Sequence, residues 1–551
     1  MPGNPNRRIR VIFFLFLLVF GAVAARAAFL QTVKADQLSE MAQQQHVQEF
    51  DLPARRGTIF DRGGNELAVG EERRTIYATP YLVEDPLQTA EVLAPLLSAD
   101  TNEILQKLLD RDSGFVYLAR KVDPEIAGQI EAMDITGLGF LSEEKRLYPQ
   151  KQVAAQVLGF AGTENHGLAG VELQQDSVLA GTGGRQRVIT DAGGKEIKML
   201  SLEEGTRGTD IWLTIDQAIQ FETEKILAET VEEWSAKGAA AVVMDPRTGE
   251  ILAMANVPTA DANNFDGLPE ELKRNRAVTD NYEPGSVFKA IIASVVLEEQ
   301  AVAPGETIYL PPEMELGGHT IGDAMDRGEV SWDVGQILVN SSNIGAVTMG
   351  MRVGGEKLNE WIGRFGFGTP TGVDFPGEAE GIVLPLEKWS DSTIGNVPIG
   401  QGISVTAIQM VAAYSAIANG GKLASPHLVC RIGDEPVMTE SERILSEESA
   451  GQMTQYLTRV VEEEGAPLAR VDGYRVAGKT GTAQKPLPDG SGYSNDDYIG
   501  SFIGFAPAAD PQLVILVMVD EPRPFGGGAT VAAPAFKKIA QFSLQKMSIA
   551  P

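Results

Sequence analysis

The stretch Pro284-Gly285-Ser286-Val287-Phe288-Lys289 runs without a break into Ala290-Ile291-Ile292-Ala293-Ser294-Val295-Val296-Leu297. The second half is apolar almost throughout, which reads as a buried helix. On a helix, residues three apart share a face, so Ser286 and Lys289 can meet. A serine hydroxyl is a weak nucleophile until a neighbouring base takes its proton. A lysine serves as that base when burial or a nearby positive charge holds it neutral. A helix N-terminus beside the serine also offers backbone N–H groups to a developing oxyanion. Taken alone, S-x-x-K fits a helix cap or a surface pair equally well.

Two further motifs follow in the chain. Ser341-Ser342-Asn343 comes after the helical run Ile337-Leu338-Val339-Asn340. It offers a hydroxyl that can relay a proton and an amide that can hold a peptide group. Lys479-Thr480-Gly481-Thr482 follows Arg475-Val476-Ala477-Gly478, which reads as the start of a strand. A strand beside a cleft can present Lys479, Thr480 and Thr482 to a carboxylate, and Gly481 lets substrate backbone approach. Each of these motifs alone is ordinary surface or edge sequence. In the order S-x-x-K, S-x-N, K-T-G they point to one site in one domain.

The flanks of that domain read as strands. Ala239-Ala240-Ala241-Val242-Val243-Met244 and Ile251-Leu252-Ala253-Met254-Ala255 are joined by the turn sequence Asp245-Pro246-Arg247-Thr248-Gly249-Glu250. Residues 498–505 and 513–519 are two more strand candidates, and residues 532–545 read as a closing helix. The pattern predicts an antiparallel sheet built from both ends of the domain, with helices on it.

At 551 residues the chain exceeds one ordinary domain. Ahead of the domain just described, residues 31 to about 220 read as a mixed α/β module without catalytic residues. Residues 31–47 read as a polar helix, and residues 53–64 as extended chain running into a hairpin turn. Residues 85–135 carry Leu93, Leu96, Leu97, Ile104, Leu105 and Leu108 at helical spacing. At the N-terminus, Arg7, Arg8 and Arg10 precede an apolar run over residues 11–25, continued after Arg26 by residues 27–30. Basic charge before an apolar segment predicts an inside N-terminus and an exported remainder, as an uncleaved anchor or a cleaved signal peptide; the anchor is the reading adopted here.

Composition narrows the chemistry. A formal net charge of −29 disfavours a nucleic-acid partner. The single cysteine, Cys430, allows neither an intramolecular disulfide nor a cysteine-rich zinc site. His46, His166, His319 and His427 are scattered without metal-ligand spacing, and no G-x-S-x-G elbow supports a Ser-His-Asp triad.

The three motifs resemble those of the class B penicillin-binding proteins, and the resemblance runs along nearly the whole chain. Residues 53–64 resemble the R-G-x-I-x-D-R-x-G signature of the family's pedestal module. Arg146-Leu147-Tyr148-Pro149 and Gly167-Leu168-Ala169-Gly170-Val171-Glu172 resemble two further pedestal signatures. Leu213-Thr214-Ile215-Asp216 and Gly400-Gln401-Gly402-Ile403-Ser404-Val405-Thr406 resemble transpeptidase-domain sequences. The resemblance implies an α+β chain in four parts: a cytoplasmic tail over residues 1–10, a membrane anchor over 11–30, a dimerisation-type pedestal over 31–220, and a penicillin-binding transpeptidase domain of the serine β-lactamase type over 221–551.

It also implies roles. Ser286 would attack the penultimate D-alanine carbonyl of a peptidoglycan stem peptide, and Lys289 would accept its proton. Ser341 would relay protons between amines, and Asn343 would hold the donor peptide. Lys479, Thr480, Gly481 and Thr482 would bind the substrate, with the N–H groups of Ser286 and Thr482 as the oxyanion hole. β-Lactams would acylate Ser286, and no metal or other cofactor is implied. The catalytic domain would lie on the outer side of a bacterial plasma membrane, with a lipid-II polymerase and divisome proteins as partners.

The compact N-terminal module resembles division-type enzymes more than elongation-type ones. Ser342 stands where class A β-lactamases have Asp, and Glu378 and Glu380 read as surface charges rather than hydrolytic bases. No glycosyltransferase-sized module precedes the catalytic domain. The competing readings are an elongation-type transpeptidase, a hydrolytic D,D-carboxypeptidase or β-lactamase, and a non-catalytic β-lactam sensor or scaffold.

Overall fold

The computed structural model describes residues 5–35, 47–52, 54–190, 196–203, 205–265, 267–303, 305–463, 465–487, 489 and 492–551. The chain forms two compact units. One comprises residues 1–55, 71–145 and 181–207; the other comprises residues 56–70, 146–180 and 208–551.

In the first unit, helix α1 (Pro5–Thr32) is continuous through Arg26, whose guanidinium lies 5.7 Å from the centre of the Phe29 ring. Its segment Ile9–Thr32 is exposed along its length. At 1.5 Å per residue it is long and apolar enough to cross a bilayer core of about 30 Å once. Of the polar helix expected over residues 31–47, Gln31 and Thr32 end α1, Ala35 is again helical, residues 36–46 lie outside the described residues, and Val47 opens a strand. That strand, Val47–Leu52, forms an antiparallel sheet with Gly184–Thr190 and Glu196–Glu203.

The helical pieces expected over residues 85–135 are Pro86–Leu97, Thr101–Leu109 and Pro124–Glu131. Asp85, Asp100 and Asp123 cap them by accepting backbone N–H bonds, and Pro86 and Pro124 sit where a helix tolerates proline. Leu93, Ile104 and Leu108 are buried with Ile76, Leu118 and Ile130 in a separate small core.

In the second unit the three pedestal signatures meet in space. Glu172 is buried and accepts from Arg56 Nε and Arg146 Nε, both at 2.6 Å, one on each carboxylate oxygen. Arg56 also reaches Asp176 at 2.6 Å, and Tyr148 Oη donates to Glu172 at 3.3 Å. Removing one member of a buried ion network strands the others without water. Glu172→Ala is therefore expected to cost about 3–5 kcal/mol, read as a large drop in the thermal unfolding midpoint. The hairpin turn read near residues 61–64 is present: Asp61 accepts from the N–H groups of Gly63 and Asn65, both at 2.8 Å.

The part of this unit that carries the three motifs is built on five antiparallel strands. These are β1 (Gly238–Met244), β2 (Ile251–Val257), β3 (Ala477–Pro486), β4 (Tyr493–Ala506) and β5 (Leu513–Asp520), in the spatial order β2-β1-β5-β4-β3. The sheet thus joins both ends of the domain, as the sequence pattern predicts. β4 begins at Tyr493 rather than Tyr498, because Tyr493 pairs with Pro486 across the hairpin beyond an irregular polar stretch that lacks strand alternation.

Every residue of β1 and β2 is buried, so both faces of the sheet are covered. Helices α2 (Gln217–Glu233) and α8 (Ala533–Lys546) pack on each other and on the sheet. Between them in sequence lie α3 (Lys289–Glu298), α4 (Val334–Val339), α5 (Asn343–Val353), α6 (Ala407–Ala418) and α7 (Glu447–Glu462). α3 is buried over residues 289–297, as its sequence predicts. Among the described residues β3 has only β4 as a sheet neighbour, which makes it an edge strand.

Candidate active site

Ser286 does not lie on the α-helix itself. It sits in a 3₁₀ turn, Gly285–Phe288, that feeds into α3 at Lys289. Lys289 caps that turn by donating its backbone N–H to the Ser286 carbonyl, but among the described residues no hydrogen bond joins the Ser286 hydroxyl to the Lys289 amine.

Four hydrogen bonds hold this turn to the Gly400–Thr406 sequence. Tyr282 and Val405 exchange backbone bonds of 2.9 and 2.8 Å, Gly285 N–H donates to Gly400 O at 3.0 Å, and Gly402 N–H donates to Glu283 Oε1 at 2.9 Å. The approach is so close that a Cβ at Gly400 would sit 2.1 Å from the Gly285 carbonyl oxygen. Tyr414 on α6 adds a bond from its hydroxyl to the Val287 carbonyl at 2.7 Å.

Lys289 is wholly buried, and its Nζ donates to Ser341 O at 2.6 Å and Asn343 Oδ1 at 2.7 Å and lies 3.4 Å from Ser341 Oγ. Ser341 is held at φ +52°, a left-handed conformation that costs a non-glycine residue about 1–2 kcal/mol. That turn places its carbonyl on the lysine. Lys479 Nζ, also buried, donates to the same Ser341 hydroxyl at 3.0 Å and lies 3.4 Å from Thr480 Oγ1. The structure thus brings Lys289, Ser341, Asn343, Lys479 and Thr480 into one cluster.

Ser286 Oγ makes no hydrogen bond among the described residues. Thr482 Oγ1 turns to another partner, the N–H of Gly528 at 3.2 Å. The serine turn nevertheless lies across Gly481 and Thr482. A Cβ at Gly481 would be 3.1 Å from Pro284 O, and one at Gly285 would be 3.1 Å from Thr482 O.

The electrostatics suit proton transfer. Burial, and then the nearby charge of Lys479, push Lys289 well below the usual lysine range; Asp323 opposes them. Burial pushes Lys479 down to about 7. Two ammonium groups on one buried hydroxyl repel each other, so the pair titrates jointly and favours a single proton between them.

Asp323 was not visible as a site residue in the sequence. Its Oδ1 accepts from the N–H groups of Asn343 and Ile344 at 2.6 and 3.1 Å, and both its oxygens accept from Ser342 Oγ. Arg327 Nε braces it at 2.6 Å. The preceding residue, Gly322, accepts from Asn343 Nδ2 at 2.9 Å. A carboxylate at the N-terminus of α5 therefore sets the asparagine that faces Lys289. Asp323→Ala is expected to cost about 1–3 kcal/mol of stability and to slow acylation by roughly tenfold or more. Asp323→Asn, which keeps an acceptor, loses less; thermal melting and labelling rates measure both.

The geometry agrees with comparison to known proteins. Residues 239–541 match the penicillin-binding protein transpeptidase domain, and residues 51–213 match the penicillin-binding protein dimerisation domain. The chain is 35% identical to stage V sporulation protein D of Bacillus subtilis, over 100% of this chain and 87% of that protein. It is 31% identical to peptidoglycan D,D-transpeptidase FtsI of Escherichia coli, over 97% of this chain and 91% of that protein. Among solved structures, penicillin-binding protein 3 of Mycobacterium tuberculosis in complex with aztreonam superposes with a TM-score of 0.72 at 31% identity, over 91% of this chain and 98% of that one. The buried lysine pair on one serine hydroxyl and these full-length matches lead to the same place: the chain belongs to the class B penicillin-binding proteins, the serine D,D-transpeptidases of peptidoglycan synthesis.

Proposed function

We propose that this chain cross-links peptidoglycan stem peptides through an acyl-Ser286 intermediate, in septal wall synthesis, from a single-pass anchor with residues 221–551 on the outer side of the membrane. The observation that carries the reading is the convergence of Lys289 and Lys479 on Ser341 Oγ. A neutral Lys289 has two N–H groups, which the two short bonds to Ser341 O and Asn343 Oδ1 occupy. Its lone pair is then left for the Ser286 proton.

Ser286 Oγ attacks the penultimate D-alanine carbonyl and passes its proton to Lys289. The oxyanion forms against the N–H groups of Ser286 and Thr482. The C–N bond breaks as Ser341 delivers its hydroxyl proton to the departing D-alanine amine and is reprotonated by Lys289, which leaves an ester on Ser286 and a neutral Lys289. The amine of a second stem peptide attacks the ester and passes its proton through Ser341 to Lys289, which returns it to Ser286 Oγ as the ester C–O bond breaks. Lys479, Thr480 and Thr482 grip the donor's carboxylate, Asn343 holds its backbone, and the free edge of β3 offers main-chain pairing to an extended peptide.

Residues 31–220 act as the pedestal. The positive charges before the apolar run support a cytoplasmic tail over residues 1–10. A lipid-II polymerase and divisome proteins complete the reading as partners in the membrane.

The test uses the full-length protein in detergent. Fluorescent penicillin is expected to add one covalent label, mapped to Ser286 by mass spectrometry. A synthetic pentapeptide donor with an acceptor amine is expected to give cross-linked dimer. Free D-alanine without dimer would favour a carboxypeptidase, and absence of label on folded protein would sink the reading.

A further inference from the structure

Glu283 stands three residues before the nucleophile and has no part in the chemistry above. It is buried, and its Oε1 accepts two hydrogen bonds: from Gly402 N–H at 2.9 Å and from the Tyr493 hydroxyl at 3.0 Å. Its Oε2 is buried with no donor among the described residues. A carboxylate satisfied on one oxygen only is a net cost to stability.

The three groups meeting at Oε1 come from three different places. Glu283 precedes the serine turn, Gly402 belongs to the segment that clamps it, and Tyr493 opens β4. Tyr493 lies opposite Pro486, at the far end of the strand that carries Lys479 and Thr482. The carboxylate therefore ties the serine turn to its clamp and to the β3–β4 hairpin at one atom.

We infer that Glu283 is a positioning residue for the acyl-transfer reaction, which sets the serine turn against the K-T-G strand by accepting from Gly402 and Tyr493 together. The inference rests on the reading of Ser286 as the acyl-accepting nucleophile. A tie of this kind acts on the step in which Ser286 Oγ must meet the substrate carbonyl near an in-line distance, and small misplacements there are costly. It does not act on the initial reversible binding of ligand, which Lys479, Thr480 and Thr482 govern.

The test is stopped-flow acylation of the full-length protein by a fluorescent penicillin, resolving the reversible binding constant from the first-order acylation rate. Glu283→Ala is expected to lower the acylation rate on the order of 10²-fold, with the binding constant changed by no more than about threefold. Glu283→Gln keeps the accepting oxygen and is expected to recover most of the rate. Tyr493→Phe removes one donor and is expected to lose roughly tenfold; it tests the same tie if alanine at 283 does not fold. An unchanged rate in folded Glu283→Ala or in Tyr493→Phe would overturn the inference. So would a loss confined to the binding constant, or a glutamine variant as slow as alanine. A wild-type chain that does not label at Ser286 would overturn the functional reading and this inference together, whereas a labelled wild type with equally fast variants would overturn the inference alone.

Discussion

Ser286→Ala is expected to take up no covalent penicillin at all, while remaining folded and still binding the drug reversibly. The expectation follows from how the serine turn is held. Its restraints are the backbone exchange between Tyr282 and Val405, the bond from Gly285 to Gly400, and the Tyr414 hydroxyl on the Val287 carbonyl. None of them uses the Ser286 hydroxyl, so removing one oxygen leaves the turn in place. Substitutions that break no such contact cost about 0.5 kcal/mol or less. The remaining serine of the cluster, Ser341, already accepts from Lys479 and is not a substitute nucleophile. Intact mass beside a thermal melt measures both halves. A stable label on the variant, at Ser341 or elsewhere, would mean the acyl group is carried by another residue.

What the sequence made legible is what local chemistry imposes. S-x-x-K and K-T-G are recognisable because a turn or helix and a strand each need particular residue types at fixed spacing. β1, β2 and β5 are legible because strands covered on both faces must be apolar at nearly every position. The start of β4 was not legible, since Asn495, Asp496 and Asp497 look like loop and sit in an irregular stretch between the Tyr498–Gln484 and Tyr493–Pro486 pairings, which only the fold reveals. Nor was Asp323, which acts on Asn343 from 20 residues away in sequence and only through the fold. Glu283 adjoins the serine motif and was in plain view. Its partners, Gly402 and Tyr493, are 119 and 210 residues distant, so its contact with either is a fact of tertiary structure alone. The pedestal signatures around Arg56, Arg146 and Glu172 could be read singly, but their shared carboxylate could not.

Lys289→Met carries the second large effect, and its pH behaviour distinguishes a base from a packing residue. Methionine fills the same volume, so the buried start of α3 tolerates it, but it cannot take the Ser286 proton. Loss of a general base typically costs 10²–10⁴-fold, and about that fall in the acylation rate is expected. In the unaltered chain the folded lysine binds its proton less tightly than an unfolded one, because of burial and Lys479. As pH falls through that depressed value, Lys289 takes up a proton and stops acting as a base. Acylation should therefore fall on the acid side. The limb should vanish in Lys289→Met, whose residual rate is flat in pH. Replacing Lys479 with methionine should move the limb the other way, to higher pH, because one of the two influences that push the Lys289 proton off is gone. The substrate's carboxylate works on the same balance: placed against Lys479, it draws the shared proton there and leaves Lys289 neutral. A ligand without a carboxylate should accordingly show its acid limb at higher pH than penicillin does. Identical limbs for both ligands, or a limb that survives Lys289→Met, would assign the titration to another group.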